Sequence, residues 1–159
     1  VGGLTWEELD LAQRIWTIPK SRSKNAKSHV VHLSDQSVAV LKRADRRGAL
    51  VFSPLGGKPF RNFGRAKRFL DQRSGVTGWR LHDLRRVAVT GMSEIGIQPH
   101  IVEAVVNHAS GHKGGIAGVY NRAEYLAERK AALERWSAHL DGLLSGREPD
   151  VVPLRACSV

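Results

Sequence analysis

The chain has 159 residues, 25 Lys or Arg against 15 Asp or Glu, and a formal net charge of +10 at pH 7. That length suits one domain, and a hydrophobic content of 42% is enough to bury a core. There is no apolar run of roughly eighteen residues, so no helical membrane span is expected, and the first residues do not read as a signal peptide. The single cysteine, Cys157, permits no internal disulfide, which fits a reducing, cytoplasmic compartment.

The charge is unevenly placed. Residues 1–13 hold three acids and no Lys or Arg, whereas residues 14–86 hold 18 Lys or Arg against 4 Asp or Glu. Residues 87–159 return to near balance, with 7 against 8. A basic block this dense repels itself unless it meets an anion, and a nucleic-acid backbone is the commonest one. The basic residues do not fall on the polar face of one amphipathic helix, which argues against an anionic membrane surface.

The elements follow from pattern and punctuation. Arg14 to Pro19 alternates and is β-branched, as a strand is, and Ser28 to Leu33 reads as the returning strand. The polar, basic Lys20 to Lys27 stretch between them reads as a hairpin turn. Ser34 is an N-cap for a helix to about Ala44 with Val38 and Leu41 inward. Leu50 to Ser53 suggests a short third strand, ended by a Pro54 to Pro59 loop. A helix is expected from about Asn62 to Gln72, with Phe63, Phe69 and Leu70 among its apolar positions. The next helix runs from Arg80 to about Ile95 and is closed by Gly96. Pro99 opens another, to about Asn107. Residues 109–118, with four glycines, read as a loop. The last helix, Asn121 to about Leu143, places Leu126, Leu133, Trp136, Leu140 and Leu143 in one stripe suited to core packing or to docking on a neighbouring subunit. The fold class expected is α+β, mainly helical, with a small antiparallel sheet at one edge. Residues 1–144 would form the domain and 145–159 a loosely ordered tail.

Chemistry concentrates in residues 81–122. LHDLRR sets His82 and Arg85 three apart on one helix face. His108 follows at a helix end, and Tyr120 follows the glycine-rich loop. Two histidines, an arginine and a hydroxyl nucleophile, with no carboxylate cluster beside them, suit metal-independent chemistry on a phosphodiester. The arginine neutralises phosphate oxygens, the histidines donate hydrogen bonds or protons, and the tyrosine attacks phosphorus. No Asp/Glu/His ligand cluster is evident, so neither a metal nor a cofactor is expected.

LHDLRR, VVNHASG and IAGVYNR, in that order, together resemble the catalytic domain of the tyrosine recombinases, or phage-type integrases. The opening LTWEELDL, WTIP, a basic hairpin and HVVHLS is similar to the start of that domain in prophage and genomic-island integrases. The likeness covers roughly residues 4 to 140. It implies site-specific DNA recombination through a 3′-phosphotyrosine link made by Tyr120. Lys24 would be the general acid on the leaving 5′ oxygen, with Lys27 in the same loop as runner-up. His82 and Arg85 would contact the scissile phosphate, and His108 would hydrogen-bond it. Double-stranded DNA is the implied partner, met through Arg22, Lys27, Arg65, Lys67 and Arg86, with self-association into a synaptic tetramer on DNA. The same family carries a first catalytic arginine upstream of the segment matching Leu4 to Trp6. Arg14, on an expected strand, cannot replace it, so this stretch by itself is expected to be nearly inactive. The alternatives are a type IB topoisomerase-like nicking-closing enzyme and a non-catalytic DNA-binding module. Arg86 reads as a salt-bridge or DNA-backbone group, Asp83 as a helix-start acid, and Tyr125 as a packing residue inside the last helix.

Overall fold

The computed structural model describes residues 1–23, 26–53, 57–108 and 124–146. Three antiparallel strands in the order β1-β2-β3 form a small sheet: β1 (Leu9–Asp10), β2 (Ile15–Ile18) and β3 (His29–His32). The β2–β3 pair runs in register from Ile15 opposite His32 to Ile18 opposite His29. The basic hairpin therefore leaves and returns at the Ile18/His29 end. Its first part is a 3₁₀ turn, Lys20–Arg22.

The third strand differs from expectation. Leu9 and Asp10 pair with Trp16 and Ile15, a two-residue ladder too short to show any alternation in sequence. Residues 50–53 are not a strand: Leu50 makes one isolated bridge to Thr5, and the Val51 amide donates to Leu4 O at 2.9 Å. Arg14 likewise stands outside its expected strand, in a left-handed turn at φ 55 from which its carbonyl accepts the Leu33 amide at 2.8 Å.

Five α-helices follow among the described residues: α1 (Asp35–Lys42), α2 (Phe63–Ser74), α3 (Leu81–Glu94), α4 (Pro99–Val105) and α5 (Leu126–Ser145). Their starts follow the local chemistry. The Ser34 hydroxyl accepts the Ser37 amide at 3.4 Å and the Asn62 side chain accepts the Arg65 amide at 3.3 Å, each satisfying one orphan donor of a first turn. Gly96, at φ 77, ends α3, where the Ile97 amide turns back to Met92 O at 3.0 Å.

Two apolar clusters result. Leu4, Leu33, Val38, Leu41 and Val51 form one, joined by Trp6, Leu9 and Trp16 from the sheet side. Met92, Ile97, Ile101, Val102 and Ala132 form the other, where α3, α4 and α5 meet. Val38 and Leu41 are buried as expected. The stripe expected to bury α5 is corrected: Leu126, Leu140 and Leu143 are 49%, 38% and 59% exposed, and the buried positions are Arg129 and Ala132. Only the middle of the stripe turns inward: Trp136 packs on the cluster and Leu133 is half-buried, while Leu126 and the leucines of the last turns remain exposed. α2 buries no residue, and Phe69 and Leu70 are exposed.

Candidate functional site

His82 is the second residue of α3, and Arg85 sits one turn later on the same face. The first turn of α3 is held by Asp83, whose carboxylate accepts the Arg80 amide at 2.8 Å. That backbone hydrogen bond, with the nearby Arg86 charge, keeps the Asp83 carboxyl below its usual range. Arg86 pairs with Asp83 at 3.4 Å and is 77% exposed, so this ion pair adds little by itself.

Arg85 reaches across to α4. Its Nη2 donates to the carbonyl of Val106, the residue that caps α4. Asn107 then takes a left-handed conformation (φ 51), one that Asn tolerates better than most residues. The His108 amide turns back to Glu103 O at 3.0 Å, which fixes where His108 leaves the helix. One guanidinium thus ties the His82/Arg85 turn to the end of α4, two residues before His108. Arg85 spends one of its five N–H donors on Val106, and its side chain is exposed. Lys24 and Tyr120 lie outside the described residues, as does His112.

The five basic residues assigned to DNA contact do not share one environment. Arg22 pairs with Glu8, whose other carboxylate oxygen accepts the Trp16 indole N–H at 3.1 Å. The Arg22 and Glu8 side chains are 33% and 10% exposed, so this charge is spent on tying the hairpin to the first turn of the chain. Lys67 pairs with Asp71 at 2.6 Å and lies over the Trp79 ring at 5.1 Å. Arg65, Lys27 and Arg86 are exposed.

Tyr125 is not inside the last helix. It precedes α5 in a left-handed conformation (φ 49), an uncommon state for an aromatic residue. Its ring stands edge-on to His100 at 5.2 Å and packs on the α3–α4–α5 cluster. This fixes the chain five residues after Tyr120.

Sequence reasoning missed Arg129 and His29. Arg129, 8% exposed, donates from Nη2 to Val30 O and stands 3.3 and 3.4 Å from the His29 ring nitrogens. Its Nη1 donates to Glu124 O at 3.3 Å. Burial lowers the guanidinium pKa from its ordinary value. The available signal was a position: residue 129 stands three after Leu126 and seven before Trp136, so a charge interrupts an apolar stripe.

The chain is a mainly helical α+β domain with an exposed His82/Arg85 turn and a basic first half. Residues 1–125 match the phage integrase family, and the chain belongs to that family. It is similar to the prophage integrase IntA of Escherichia coli K12, 31% identical over 144 residues covering 83% of this chain and 32% of that protein. It is also similar to the prophage integrase IntS of the same strain (30% over 143 residues) and to the integrase of Shigella phage Sf6 (29% over 143 residues), with 87% of the chain and 37% of each relative covered. The chain thus spans between 32% and 37% of the length of these relatives. No solved structure matches it significantly. No described helix is long and apolar enough to cross a membrane.

Proposed function

We propose that this chain supplies the phosphodiester-cleaving part of a site-specific DNA recombinase. The observation that supports the reading is the Arg85–Val106 hydrogen bond, which links α3 to the end of α4, two residues before His108. His82, Arg85 and His108 are each exposed, in a domain whose residues 14–86 carry the basic excess that a phosphate backbone would meet.

In the reaction, the Tyr120 phenol oxygen forms a bond to phosphorus as the P–O5′ bond breaks. The phenol proton passes to water, and Lys24 gives a proton to the leaving 5′ oxygen. Arg85, His82 and His108 hold the non-bridging oxygens as charge builds on them. The product is a 3′-phosphotyrosyl ester bearing the same single charge as the diester it replaces. One ester has been exchanged for another, so a second 5′ hydroxyl can reverse the step without ATP. Recombination needs two duplexes and four strand cleavages, so self-association into a tetramer on DNA belongs to the same proposal, as does a cytoplasmic location.

The test is covalent capture with the full-length gene product, quenched on DNA with detergent. A protein–DNA adduct is expected that is abolished by Tyr120→Phe, while salt-dependent DNA binding is nearly unchanged. An adduct that survives Tyr120→Phe rules out this mechanism. Relaxation of supercoiled DNA without recombinant product would move the assignment to a nicking-closing enzyme.

A further inference from the structure

A charged side chain is buried at a junction that apolar packing could have filled. Arg129, in the first turn of α5, joins three backbone segments: its own helix, β3 through Val30 O, and the turn before α5 through Glu124 O. The ring of His29 faces the same guanidinium at 3.3 Å. Arg129 Nε has no hydrogen-bond partner. A buried guanidinium with an unmet donor is a poor stabiliser, since a well-packed hydrophobic residue of similar size is often neutral or better. Arg129 is not the only contact between α5 and the first half of the chain. His32 Nε2 lies 3.3 Å from Glu134 Oε1, and Gln36 hydrogen-bonds Ser137 and Asp141 further along the helix.

What Arg129 does that those contacts do not is set two particular chain ends at a fixed separation. Val30 lies six residues after Lys24 on the return strand of the hairpin, and Glu124 lies four residues after Tyr120. We infer that Arg129 is a positioning residue for the cleavage step, clamping the return strand of the Lys24 hairpin to the segment that follows Tyr120 so that acid and nucleophile meet the same phosphate. This rests on the mechanism proposed above. The planar fork of arginine suits the task, because two N–H groups diverging from one rigid plane can span two carbonyls on different segments. A lysine ammonium is a single point and would hold one segment at a time.

The test separates positioning from folding by changing the leaving group. With an ordinary DNA strand, the 5′ oxygen needs a proton to leave. With a bridging sulfur at the 5′ position, the departing thiolate needs none. In the full-length protein, Arg129→Met is expected to fold with a lowered Tm, because two carbonyls lose their donor, and to bind DNA with unchanged affinity. It should form the Tyr120 adduct at least tenfold more slowly on the oxygen strand, and within about threefold of the parent on the sulfur strand. Arg129→Lys should show the same pattern, and serves as the working variant if the methionine form does not fold. Equal slowing on both strands, or no slowing on the oxygen strand, overturns the inference while leaving the Tyr120 mechanism standing. A parent protein that forms no Tyr120-dependent adduct on either strand overturns both.

Discussion

Gly91 sits in α3 where that helix comes closest to α5, and a Cβ added there would lie 2.4 Å from Trp136 Cζ3 and 2.7 Å from Cη2. Both distances are well inside van der Waals contact, and the Trp136 ring is itself stacked on His139 at 5.5 Å. Gly91→Ala therefore has to push the indole or separate the helices. Overpacking of this kind costs about 1–3 kcal/mol, against a gain of about 0.5–1 kcal/mol for replacing a mid-helix glycine with alanine. The net loss is about 0–2.5 kcal/mol, or a fall in Tm of up to about 10 °C for a domain of this size. Gly64, in the first turn of α2, has nothing within 4 Å of its added Cβ, so Gly64→Ala should be neutral or raise Tm slightly. Thermal and urea melts of both variants decide the matter. Trp136→Phe, which removes the two offending atoms, should relieve most of the Gly91→Ala loss when the changes are combined. If Gly91→Ala stabilises as Gly64→Ala does, the close approach of α3 and α5 is wrong, and with it the placing of the His82/Arg85 helix against the helix that follows Tyr120.

Further expectations differ by residue. Arg85→Ala should lower adduct formation by about 10²–10³-fold, the usual loss for one preorganised phosphate or oxyanion donor, while single-turnover assays show DNA affinity little changed. Arg65→Ala should reduce the slope of log K against log salt by about 1 without altering Tm, because Arg65 is exposed and no ion pair to it is found among the described residues. Arg22→Ala should act oppositely, costing about 1–3 kcal/mol in urea melts because Glu8 loses its partner in a half-buried site. Asp83 has a depressed carboxyl pKa, so its contribution is fully present above its unfolded pKa and fades as pH falls through the folded one. Asp83→Asn should remove that part of the acid dependence of stability, measured as the difference between melts at neutral and strongly acidic pH.

Legibility in the sequence tracked how local each cause was. The His82/Arg85 pair was visible because a spacing of three on a helix fixes two side chains on one face, whatever surrounds them. The Ser34 and Asn62 caps were equally local. β1 was not legible, since two residues paired with Trp16 and Ile15 exist as a strand only through that pairing. The stripe of α5 held only in its middle, at Leu133 and Trp136, because periodicity shows which residues share a face, not how far along the helix its partners extend. The structure turns Ala132 and Arg129 inward, which lets α5 approach α3 and β3 closely. Tyr125 was misplaced for a similar reason. Nothing in RAEYLAER marks a left-handed break before Leu126, and it is held by the His100 ring and the core cluster, which are distant in sequence.

DNA cleavage through Tyr120 is tested most directly by mapping the attachment site in the covalent adduct. The chain has two tyrosines, and trypsin parts them at Arg122: Tyr120 falls in GGIAGVYNR and Tyr125 in AEYLAER. After nuclease trimming, mass spectrometry should find the residual nucleotide on the first peptide alone. A nucleotide on the second peptide, or on a serine or histidine elsewhere, would contradict the mechanism.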